Sequence, residues 1–99
     1  MISRDDNPIF LNDFLDYSLT ILNKSQNSVK EYNYDIANFL KFIKYRFRLE
    51  KVEDIEDIKN IKIDNMELNT IEKITLEDIH AYLGHLKNNY NSKPASLAI

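Results

Sequence analysis

An all-α domain is what this sequence predicts, and three observations predict it. One glycine and two prolines in 99 residues leave long stretches without a backbone breaker. Apolar residues recur at steps of three and four through most of the chain. A content of 43% apolar and 11% aromatic residues is enough for a buried core and argues against disorder. The length allows a single domain, 1–99, with one modest core.

The first helix is expected to start at Asn7-Pro8, with Asn7 as N-cap and Pro8 at the first helical position. Residues 1–7 before it are polar and acidic and read as a flexible N-terminus. Phe10, Leu11, Phe14, Leu15, Ile21 and Leu22 make its apolar face, and the helix should end near Asn23. A polar turn, 24–27, follows. The second helix carries the clearest pattern. Ser28 and Glu31 suggest a capping box. Val29, Tyr32, Ile36, Phe39, Leu40, Ile43 and Phe47 then form one stripe, while Lys30, Tyr34, Ala37, Lys41, Lys44 and Arg48 form another row at steps of four and three.

Residues 50–74 are expected to be an irregular acidic connector with one or two helical turns, stitched to the bundle by its isoleucines. A further helix starts at Thr75, a good N-cap, with Glu77 and Asp78 suiting the dipole of its first turn. Leu76, Ile79, Leu83, Leu86 and Tyr90 are its apolar stripe. Ser92-Lys93-Pro94 reads as a last helix start, cut short after less than two turns. Phe14, Ile36, Phe39, Ile43, Ile79, Leu83 and Leu86 are the expected core.

Several functions are excluded at this level. Without cysteine there is no disulfide, no thiolate chemistry and no Cys-ligated zinc or iron–sulfur site. His80 and His85 are five apart, a poor spacing for sharing one helix face, so no metal is expected. Gly84 alone cannot write a phosphate-binding loop or a dinucleotide fingerprint. Glu53, Asp54, Glu56 and Asp57 lack the glycine and ligand spacing of a calcium loop. No tyrosine has a base and cations beside it in sequence, so no catalytic residue is assigned. No cofactor, small-molecule substrate or membrane partner is expected. No apolar run of about 18 residues occurs, and the N-terminus is no signal peptide, so the expected location is the cytoplasm.

The net charge of −3 hides an asymmetry. Residues 1–49 carry seven basic and six acidic side chains, 50–78 carry four and ten, and 79–99 carry two lysines and no acid. Both flanks are weakly basic, and the acidity sits between them.

The order of elements carries a resemblance. The run Ser28-Val29-Lys30-Glu31-Tyr32-Asn33-Tyr34-Asp35-Ile36-Ala37-Asn38-Phe39 is followed by Ile74-Thr75-Leu76-Glu77-Asp78-Ile79-His80-Ala81-Tyr82-Leu83 and by Tyr90-Asn91-Ser92-Lys93-Pro94-Ala95-Ser96-Leu97. This resembles the N-terminal core-binding (SAM-like) domain of tyrosine recombinases, or phage integrases, of the Xer-like group, over roughly residues 8–99. The resemblance implies a four- to five-helix orthogonal bundle of two helical hairpins. It implies duplex DNA binding as the N-terminal arm of a site-specific recombinase, with other recombinase protomers as partners in the full-length protein. The family's catalytic residues have no counterpart here, so this chain is expected to be non-catalytic. An arginine often found in the family's final helix has none either, and the acidic connector is longer than in compact members.

On that basis the candidate DNA-contacting residues are Lys24, Ser25, Asn27, Ser28, Lys30, Tyr34, Lys41, Lys44, Arg48, Ser92, Lys93 and Ser96. Lysines and arginine suit phosphates, and the turns before Val29 and Pro94 present helix N-termini to anions. Each feature also has a plainer reading: a solvated helix face for the basic row, ordinary caps for the two turns. A rival function is a helical protein-interaction module whose acidic connector docks a basic partner.

Overall fold

The computed structural model describes residues 4–89, and all regular structure among them is helical. A 3-10 turn, Arg4–Asp6, precedes α1 (Ile9–Thr20) and α2 (Gln26–Arg46). A 3-10 helix, Ile55–Asn60, then leads to α3 (Leu68–Glu72) and α4 (Leu76–Asn89). α2 is the axle: α1, the 3-10 helix and α4 all pack against it. The expected all-α bundle is therefore found. The start expected at Pro94, which would pair with α4, lies outside the described residues.

The caps differ from expectation. Pro8, extended at φ −66° and ψ 156°, is the N-cap of α1, and Leu11 and Asn12 donate their N–H groups to its carbonyl. Asn7 is instead buried, its Nδ2 donating to Asn33 Oδ1 at 2.7 Å and Asn12 Oδ1 at 3.0 Å. That use of the amide removes it from capping. α1 ends at Thr20, earlier than its apolar residues suggest; Asn23 takes a left-handed φ of 53°, and Lys24 N–H closes back on Ser18 O. At α2 the cap is Ser25, three residues before Ser28. Its Oγ accepts from Ser28 N–H at 3.1 Å, so Ser28 and Glu31 do not form the expected box.

Leu11, Leu15, Val29, Ala37, Leu40, Phe42, Ile43, Ile63 and Met66 form the core. Ile43 is buried as expected; Ile36 and Phe39 are half-buried and pack on its edge. Phe14 is exposed, with its ring 6.3 Å from that of Tyr32. The largest correction concerns α4. Its leucine stripe does not face α2: Leu76 and Leu83 are 67% and 52% exposed, Ile79 is exposed and Leu86 half-buried. Asp78, Ala81, Tyr82 and His85 turn inward instead. Tyr82 meets Phe39 edge-on at 5.1 Å and Phe42 at 5.4 Å, and His85 lies 4.9 Å from Phe42. Aromatic pairs and the ion pair of Asp78 with Arg46 on α2 set the phase of the helix, outweighing its aliphatic row.

The connector folds onto α2 as expected from its isoleucines. Ile58, Ile61, Ile63 and Met66 are buried, whereas Glu53, Asp54, Glu56 and Asp57 stay exposed. Asp54 caps its 3-10 helix by accepting from Glu56 N–H at 3.2 Å. Among the described residues no helix is long and apolar enough to cross a membrane.

Candidate nucleic-acid interface

α2 divides the candidate residues into two groups. Its first three turns are buried only on the α1 side, at Val29 and Asn33. Lys24, Ser25, Asn27, Lys30 and Tyr34 are exposed there, Tyr34 by 57%, and Ser28 is half-exposed. The helix start lies open beside them. Ser25 Oγ accepts from Ser28 N–H and donates to Ser28 Oγ at 3.0 Å, and the earlier N–H groups of the first turn have no partner within the helix. Two lysines and an open helix N-terminus therefore share one end of the molecule, an arrangement that attracts anions.

The second half of the basic row meets the connector. Ala37 is fully buried. Lys41 is half-buried and its Nζ donates to Lys59 O at 2.8 Å. Burial lowers the affinity of its ammonium for a proton, partly offset by the charge of Asp6. Lys44 is only 5% exposed: its Nζ donates to Lys62 O at 2.6 Å and Asn65 Oδ1 at 2.9 Å, with Glu50 Oε1 at 3.9 Å. The row is thus not one solvent face. Lys44 is a buried clamp on the connector. The even spacing of the row is a property of α2 alone, and what covers it comes from 18 to 21 residues later.

Arg48 is exposed beyond the end of α2, in a left-handed conformation at φ 59°. Arg48 N–H donates to Tyr45 O and Leu49 N–H to Lys44 O, so the helix closes in a Schellman motif with an arginine where glycine is usual. Arg48 lines a recess with Tyr45, Arg46, Glu50, Lys51 and Val52, at the opposite end of α2 from Lys24 and Lys30. Ser92, Lys93 and Ser96 lie outside the described residues.

Two further residues sit on the exposed strip of α2 and were not among the candidates: Glu31, exposed, and Asn38, half-exposed. Their signal was in the sequence, as a second four-three-four series from Asn27 that runs beside the basic one. Among the described residues no cluster of three or more His, Asp or Glu side chains could hold a metal ion.

The helical fold agrees with what the sequence resembles. Over 91 residues, 92% of this chain, it is 34% identical to a curated bacterial recombinase, and this likeness supports a Xer-like tyrosine recombinase domain. That relative is the tyrosine recombinase XerC of Caldanaerobacter subterraneus subsp. tengcongensis, and the chain spans about a quarter of its length (25%). No protein-family model and no solved structure matches the chain.

Proposed function

We propose that this chain binds duplex DNA as the N-terminal arm of a site-specific tyrosine recombinase, supplying grip and no catalysis. The observation that carries the reading is the likeness to a tyrosine recombinase across nearly the whole chain, combined with the exposed cations at the start of α2. In this reading Lys24 and Lys30 neutralise phosphates, and Ser25, Asn27, Ser28 and the free N–H groups of the first turn hydrogen-bond phosphate oxygens. Tyr34 lies beside them on the same exposed side. Ser92, Lys93 and Ser96 complete the surface. Lys44 leaves it, because its ammonium is buried and engaged. Lys41 adds positive field from a fixed position, and Arg48 acts at the far end if the duplex extends along α2. The arm needs no metal or cofactor. Strand cleavage and rejoining through a phosphotyrosine belongs, by resemblance, to the full-length recombinase, which works in the cytoplasm with other recombinase protomers.

An NMR titration of the 99-residue chain with short duplexes at low salt tests this. Amide shifts are expected at residues 24–34 and 91–96. No shift at millimolar duplex, or shifts confined to 50–74, would sink the DNA reading and promote the rival, a basic protein partner on the exposed acids of the connector.

A further inference from the structure

One strip of α2 carries hydrogen-bonding side chains that nothing among the described residues uses. Asn27, Glu31, Tyr34 and Asn38 follow one another at steps of four, three and four, which keeps them in one line along the helix. Val29 and Asn33, the buried positions of the same turns, lie on the far side against α1. None of the four side chains has a hydrogen bond or an ion pair among the described residues. The line spans about 16 Å, at about 1.5 Å per residue, and a helix of this kind fits a major groove about 12 Å wide.

Charge decides what such a strip can meet. Glu31 stands in its middle and Asp35 beside it, both exposed and neither paired with a cation among the described residues. Phosphates would be repelled by both. Base edges would not: a carboxylate accepts from the exocyclic amino group of cytosine, an amide side chain pairs with adenine, and an apolar contact suits the methyl of thymine. Lys24 and Lys30 lie at the border of the strip, where the phosphates flanking a groove would run.

We infer that Glu31, Tyr34 and Asn38 read base edges in the major groove of a duplex, with Glu31 accepting from a cytosine amino group and Asn27, at the head of the line, staying with the flanking phosphates. The inference rests on the DNA-binding reading above and adds a sequence preference to it. Glu31 then reverses its ordinary effect: it weakens binding to most sequences and strengthens binding to one.

The test is selection from a pool of randomised duplexes of about 20 base pairs, with the 99-residue chain and with Glu31→Gln. Fluorescence anisotropy then follows on the selected duplex and on one with its central C·G pair replaced. The parent chain should enrich a fixed cytosine, and replacing it should weaken binding roughly 5- to 150-fold. Glu31→Gln should lose that preference or move it to adenine, while binding non-specific duplex more tightly. Circular dichroism of the variant checks that α2 is intact. A selected motif that Glu31→Gln leaves unchanged, or tight binding without base preference, overturns the inference and leaves DNA binding standing. No binding of any duplex by the parent chain at low salt removes both.

Discussion

Arg46 Nε donates to Asp78 Oδ1 at 2.6 Å, and this contact ties the last turn of α2 to the first turn of α4. The other carboxylate oxygen accepts from Thr75 N–H at 2.8 Å and from Thr75 Oγ1 at 3.1 Å, while Thr75 Oγ1 faces Asp78 N–H at 3.4 Å. One residue therefore caps its own helix and anchors it to another. The Arg46 hydrogen bond first, and the Thr75 N–H second, hold the Asp78 carboxyl below its ordinary value of 3.8.

The consequence for pH follows from the sign of that shift. A carboxylate favoured in the folded state stabilises it above the unfolded pKa, and the gain disappears as pH falls through the lower folded value. Asp78→Asn should melt below the parent chain near neutral pH. The gap should persist down to about pH 5 and close as the pH drops well under 3.8. Melting curves by circular dichroism from about pH 7 to about pH 2 check this, and a gap independent of pH would contradict it.

Lys44 should behave as a structural residue. Lys44→Ala removes a buried donor and strands Lys62 O; a loss of roughly 2–3 kcal/mol is expected, about what removing a charged buried hydrogen bond costs. Urea denaturation measures it. Lys30→Ala, at an exposed position, should stay within about 0.5 kcal/mol of the parent.

The same pair should separate in DNA binding. Lys30→Ala should reduce the slope of log K against log salt by about one, uniformly across sequences, as expected for a lost phosphate contact. Folded Lys44→Met, which keeps the aliphatic stem, should leave the slope unchanged. Anisotropy titrations over a range of salt concentrations give both slopes. Equal slope changes would show that Lys44 reaches the duplex.

The phase of α4 can be tested with two neighbouring substitutions. Tyr82→Ala loses ring contacts to Phe39 and Phe42 and should cost roughly 2–3 kcal/mol, below the ~3–5 of a fully buried aromatic. Leu83→Ala should cost less than about 1 kcal/mol, because half of that side chain is in water. The reverse order would return the leucine stripe to the core.

Arg48→Gly should raise stability by about 0.5 kcal/mol. A left-handed conformation costs an L-residue ~1–2 kcal/mol, and glycine gives back part of that relief in the unfolded chain. Chemical denaturation of the two proteins compares them directly.

Helix existence was legible because it depends on local chemistry: few breakers, long periodic stretches, and good caps such as Thr75. The phase and the ends were less so, for separable reasons. Ser25 and Ser28 are both good N-caps, and only the earlier one lets the helix gain another turn. Periodicity in α4 identified an apolar face, but Asp78 and Tyr82 had tertiary partners, Arg46 and Phe42, that no spacing rule within α4 could reveal. For the candidate interface, the exposure of Lys24, Lys30 and Tyr34 was readable because, among the described residues, the early turns of α2 are buried only on the α1 side, at Val29 and Asn33. Lys41 and Lys44 were misleading because backbone carbonyls of a distant connector, Lys59 O and Lys62 O, take the same donors that a phosphate would.

The Asn7–Asn33 hydrogen bond, closed at 2.7 Å between two buried amides, sets where α1 sits along α2. Leucines such as Leu11 and Leu15 would tolerate a slide, since one greasy surface resembles the next. Amides do not: a displacement of one helical turn, about 5.4 Å, would break the bond between them inside the core, at ~1–3 kcal/mol. A single pair of asparagines thus works as a positional key, turning a permissive contact between two apolar helices into one permitted alignment.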